Sequence, residues 1–108
     1  MRYCFALDLI DDPASIAEYE KYHEKLRPEI EESIHSAGIT EMEIYRIGNR
    51  LFMIMETDES FSFEKKAAMD AGNPKVQEWE ALMWTYQQAL PMANPGEKWM
   101  LLNNIFTL

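Results

Sequence analysis

Apolar and polar side chains alternate from the second residue onward. In residues 2–9, RYCFALDL, Tyr3, Phe5, Leu7 and Leu9 fall on one side and Arg2, Cys4, Ala6 and Asp8 on the other, the period of a strand with one strongly apolar face. The segment IDDPAS then reads as a turn, with Asp12 as N-cap and Pro13 as the first helical residue. From Ile16 the spacing changes to steps of three and four. Ile16, Tyr19, His23, Leu26, Ile30 and Ile34 form one stripe, which predicts a helix running to about Ala37 and stopping at Gly38. Pro28 falls inside it and predicts a kink just after His23. TEMEIYRI (40–47) and RLFMIMET (50–57) return to strand character around Gly48-Asn49, a two-residue turn that tolerates positive φ, and so predict an antiparallel hairpin. Helical patterns follow over residues 60–71 and 74–89, separated by Gly72-Asn73-Pro74. LPMANPGEKW reads as a loop, and MLLNNIFTL as a closing strand.

The resulting order, β-α-β-β-α-β, predicts a single α+β domain over residues 1–108 with a ferredoxin-like arrangement. In the second arm of the hairpin, Leu51, Met53 and Met55 point to one side and Phe52 and Ile54 to the other. A strand apolar on both faces needs cover on both. Helices cover one face; a second copy of the chain, sheet against sheet, is the simplest cover for the other, so a homodimer of the dimeric α/β-barrel kind is expected.

Charge narrows the partners. The chain carries 19 acidic and 10 basic side chains, a net charge of −9, which repels phosphate backbones and anionic lipid surfaces; neither nucleic acid nor a membrane is an expected partner. No apolar run approaches the roughly 20 residues of a membrane span. The first residues enter strand sequence directly, without the regions of a signal peptide, and the single cysteine, Cys4, has neither a disulfide partner nor a metal-ligand neighbour. A reducing, cytoplasmic setting is expected.

HxxH, HExxH, CxxC, GxGxxG and GxxxxGK patterns are absent, so no metal, dinucleotide or nucleotide motif is present and no cofactor is expected. Of the two histidines, His35 lies near the end of its helix, where it interacts favourably with the helix dipole. His23 sits within the apolar stripe, one turn from the Tyr19 phenol, and is the candidate for chemistry. Trp79 shares a helix face with Leu82, Met83 and Tyr86. By itself that is a core stripe, yet a tryptophan face beside a carboxylate, here Glu80, also suits a sugar, whose C–H face stacks and whose hydroxyls donate hydrogen bonds. Asp8 and Glu56 read as hairpin or turn acceptors, or as buried ones.

EYEKYHEKLRPEI resembles the EYxxxHxxxWPE stretch of the L-rhamnose mutarotase family. EIYRIGNRLFMIMET is similar to that family's hairpin, and VQEWEALM with LPMANPG to its tryptophan-bearing helix and loop, so that the resemblance spans nearly the whole chain. It implies a dimeric ferredoxin-like fold and cofactor-free exchange of the α and β anomers of a 6-deoxy-L-sugar. It further implies that His23 is the acid-base residue and that Tyr19 and Trp79 contact the monosaccharide. Three positions depart from the family pattern: Glu80 replaces the second tryptophan of a WW pair, Met42 a tyrosine, and Arg27 the tryptophan of WPE. These bear on which sugar is taken, and Glu80 is expected to help set the choice. MEIYRIGNRLFMIMETD and the late EKW resemble the branch linked with L-fucose. Mutarotation moves a proton between the anomeric hydroxyl and the ring oxygen, work for a group that titrates near neutrality, as imidazole does in water. Two other readings use the same fold: a cofactor-free monooxygenase, and a non-catalytic sugar-binding module that needs no proton donor at His23.

Overall fold

The computed structural model describes all 108 residues. Strand β1 (Arg2–Leu9) leads into helix α1 (Pro13–Glu24), whose first turn is capped by the Asp12 carboxylate accepting from the Ser15 N–H at 2.9 Å, with Pro13 opening the helix. The single kinked helix expected to reach Ala37 is two helices. Pro28 lacks an N–H, and its ring forces the preceding residue out of helical geometry; Arg27 accordingly adopts φ −59°, ψ 134°, and Pro28 begins α2 (Pro28–Ser36) instead of bending α1. Lys25, Leu26 and Arg27 form the break.

Gly38, at φ +96°, carries the chain out of α2. A Cβ there would lie 2.7 Å from both Asp58 Oδ1 and Ser60 Oγ, so the position requires glycine on two counts. The hairpin follows as β2 (Ile39–Ile47) and β3 (Arg50–Thr57), turning at Gly48 (φ +56°) and Asn49. Helix α3 (Phe63–Ala71) is capped by Ser62 and α4 (Pro74–Trp84) by Asn73, whose side-chain oxygen accepts from the Lys75 and Val76 N–H groups. Helix α4 ends five residues earlier than its pattern predicts, because the chain turns back to the sheet: Ile10 N–H donates to the Tyr86 carbonyl, and Gln87–Gln88 form a short strand, β4, against Asp8 and Leu9. The closing strand is likewise shorter than expected. Only Met100–Leu101 (β5) pair with β1, with one further bond from Leu102 N–H to the Cys4 carbonyl, after which the tail leaves the sheet.

Antiparallel pairing in the order β2-β3-β1-β4, with β5 beside β1 on the edge that β4 also uses, gives the ferredoxin-like topology. Alternation sorts the side chains as the sequence predicts. Phe5, Leu7 and Leu9 of β1 and Leu51, Met53 and Met55 of β3 are buried beneath the helices, joined by Tyr19, Ile30, Val76, Trp79 and Met83 from the helical layer. Leu7 and Leu9 are fully enclosed; truncating either to alanine costs about 2–5 kcal/mol. The opposite face carries Cys4, Ala6, Phe52, Ile54 and Tyr45, flanked by two cross-strand ion pairs. In one, the buried Asp8 carboxylate accepts two bonds from Arg50 at 2.7 and 3.1 Å; in the other, Arg2 Nε donates to Glu56 at 2.7 Å. Asp8 is thus a buried acceptor rather than a turn residue.

Candidate active site

Helices α1 and α2 leave a gap over the edge strand β2, because the break at Pro28 sets the two helices apart. That gap is a cavity of about 850 Å³, floored by Ile39, Ile44 and Leu51 and walled by Tyr19, Glu20, His23 and Glu24 of α1, by Glu31 and His35 of α2, and by Met42 and Arg46 of β2. Its size is within the range of small-molecule sites.

His23 is half-buried in this wall, and its Nδ1 lies 2.9 Å from the Tyr19 carbonyl oxygen one turn earlier. A carbonyl oxygen only accepts. Nδ1 therefore carries the proton, which in the uncharged tautomer leaves the lone pair on Nε2. Tyr19 packs against the imidazole with ring centres 4.6 Å apart, and Trp79 closes on it edge-first at 5.6 Å. The ring is held by a hydrogen bond and two aromatic walls.

Tyr19 is 3% exposed, and its phenol oxygen accepts from Gln87 Nε2 at 3.2 Å. Burial raises its pKa, against a smaller lowering by the Gln87 bond, so the phenol stays neutral. Gln87, itself buried on β4, supports Tyr19 from outside the cavity and was not singled out by the sequence pattern. Nothing local marks it, since its partner lies 68 residues away. Arg46 was also missed, although a signal existed: on the helix-facing side of β2 the run Met42, Ile44, Arg46 ends in a charge where alternation calls for an apolar residue.

The two other expected substrate contacts are placed differently. Trp79 is 9% exposed and lies behind His23, packed against Tyr22 and with the Arg27 guanidinium 5.4 Å from its ring centre. It is part of the core and does not line the cavity. Glu80 faces a separate hollow between α3 and α4, with Phe63, Lys66 and Asp70. Adjacent residues on a helix point about 100° apart, and here Trp79 turns toward the core while Glu80 turns toward α3. His35, expected to be structural, reaches the cavity mouth, where its Nε2 is 4.0 Å from Glu31.

Residues 2–108 match the L-rhamnose mutarotase family. The chain belongs to that family. As a mutarotase it is an isomerase. An L-fucose mutarotase of Xanthomonas campestris pv. campestris is 50% identical over 109 residues, covering 99% of this chain and 87% of that protein. Among solved structures, the L-rhamnose mutarotase of Formosa agariphila superimposes with a TM-score of 0.73 at 22% identity, covering 100% of this chain and 98% of the other. Tetracenomycin F2 cyclase of Streptomyces glaucescens shares the fold more distantly, with a TM-score of 0.59 at 15% identity and the same coverage. The mutarotase family and the ferredoxin-like arrangement expected from the sequence are therefore both established.

Proposed function

We propose that this mutarotase interconverts the α and β anomers of a 6-deoxy-L-hexose, with L-fucose preferred to L-rhamnose, and that His23 carries the proton. The observation that supports this most directly is the hydrogen bond from Nδ1–H to the Tyr19 carbonyl, which leaves Nε2 to the cavity. The preference for L-fucose draws on the 50% identical relative. Nε2 takes the proton of the anomeric hydroxyl and returns it to the ring oxygen as the C1–O5 bond breaks and C1=O1 forms. Both oxygens are attached to C1, so one nitrogen reaches each of them. The open-chain aldehyde rotates about C1–C2. Closure on the other face runs the same transfers in reverse, and the imidazole ends as it began. Tyr19 and Trp79 contribute by fixing the plane of the imidazole, Tyr19 also bounding the sugar cavity.

The active protein is proposed to be a cytoplasmic homodimer formed through the open face of the sheet, where Tyr45, Ile47 and Phe52 remain exposed. Saturation-transfer NMR tests the catalytic assignment. His23→Ala, correctly folded, is expected to lose about 10²- to 10⁴-fold in anomer exchange; undiminished exchange rejects the role given to His23.

A further inference from the structure

One turn before His23, α1 places a carboxylate opposite a guanidinium of β2. Glu20 shares the helix face of His23, and Arg46 stands beside Leu51 on the helix-facing side of the sheet. Arg46 Nε donates to Glu20 Oε1 at 2.5 Å, and Arg46 Nη1 donates to the Gly48 carbonyl at 2.7 Å. Both side chains line the cavity that contains His23, and both remain open to it, at 53% exposure for Glu20 and 37% for Arg46. A guanidinium has five N–H donors. Two are committed here, and five less two leaves three; Oε2 of Glu20 takes no bond from the protein.

We infer that Arg46 and Glu20 form a clamp for two adjacent sugar hydroxyls and set the choice between stereoisomeric substrates. This assignment rests on the mutarotase reading and deepens it. A hydroxyl both donates and accepts, so a cis pair can give one proton to Glu20 Oε2 and take one bond from an Arg46 N–H, each strengthened by the ionised partner. L-Fucose has its cis pair at C3 and C4, and L-rhamnose at C2 and C3. Glu20 is three residues, about 4.5 Å along the helix axis, from His23, farther than neighbouring ring hydroxyls are from each other. With C1 held at His23, the clamp therefore meets the hydroxyls remote from C1 and selects the C3–C4 pair of L-fucose.

The test compares exchange of both sugars by NMR, over a range of sugar concentrations, for the native protein, Arg46→Met, Arg46→Lys, Glu20→Gln and Glu80→Gln. The ion pair is partly exposed and adds little to stability, so these variants fold. Arg46→Met and Glu20→Gln are expected to lower kcat/KM for L-fucose about tenfold or more, chiefly through KM, and that for L-rhamnose much less. Arg46→Lys recovers only part of the loss, because an ammonium is a point charge that cannot hold Glu20 and a hydroxyl in the same fork. Glu80→Gln keeps the native ratio. An unchanged ratio in the Arg46 and Glu20 variants, an equal fall for both sugars, or a shifted ratio in Glu80→Gln overturns the clamp and leaves the mutarotase reading standing. Exchange of neither sugar by the native protein overturns both.

Discussion

The Tyr19 carbonyl decides which nitrogen of His23 is available, and the Tyr19 phenol is in turn held by Gln87. One residue thus orients the imidazole through its backbone and anchors itself through its side chain. Burial raises the phenol's pKa above its usual value near 10. The folded state then binds this proton more tightly than the unfolded chain does, so the contribution to stability is complete below about pH 10 and declines as pH rises from there through the folded pKa. Tyr19→Phe should remove that decline. Urea unfolding of the two proteins between pH 8 and pH 11 measures it: the native midpoint is expected to fall more steeply above pH 10 than that of the variant, and parallel curves would show that the phenol does not titrate differently on folding.

At the level of elements, the cavity exists because two residues interrupt regular structure. Pro28 divides what periodicity alone would make one helix, and Gly38 turns the second half sharply into β2. Gly38 and Gly48 both have positive φ, but only Gly38 is crowded, by Asp58 and Ser60, whose own hydrogen bonds, from Ser60 N–H and Oγ to Asp58 Oδ1 at 2.9 and 2.6 Å, shape the turn after β3. Gly48→Ala meets no atom and should cost only the backbone penalty of about 1–2 kcal/mol. Gly38→Ala pays that penalty and also displaces the Asp58–Ser60 turn, so its loss should exceed that of Gly48→Ala by about 1 kcal/mol or more. Equal midpoints in denaturant would mean that the turn yields freely.

Across the whole molecule, apolar surface is unevenly distributed. The helix side of the sheet is covered apart from the cavity over β2, while the other side presents an apolar groove of about 650 Å³ lined by Ala6, Phe52, Met92 and Met100. The tail beyond it carries Ile105 at 95% exposure, Phe106 at 75% and Leu108 fully open, with hydrogen bonds only inside itself, as between Asn104 and Thr107. The dimer proposed above would cover both the groove and the tail. Sedimentation at micromolar concentration should give a dimer mass, and a chain shortened after Asn103 should shift toward monomer. A native monomer would count against the dimer; a stable dimer of the shortened chain would confine the contact to the sheet.

Local chemistry was enough for the first strand, the hairpin and its turn, and the pairing of Tyr19 with His23 on one helix face. Alternation has a period of two and needs only neighbours to be read, Gly48-Asn49 specifies its own turn, and Tyr19 and His23 are brought together by a single helical turn. The stripe from Ile16 to Ile34 was legible too, but the separation of its two halves was not, because whether a proline bends a helix or begins a new one depends on what the chain packs against on either side. The same limit explains Trp79 and Glu80. A helical pattern places them next to each other, while burial against Tyr22 and Arg27 sends one behind His23 and leaves the other facing α3. Gln87 reaches Tyr19, and Arg46 reaches Glu20, across 68 and 26 residues. Such contacts exist only once sheet and helices have docked. Tertiary packing therefore decided the walls of the cavity, while the sequence alone had already singled out His23, the histidine of its α1 wall.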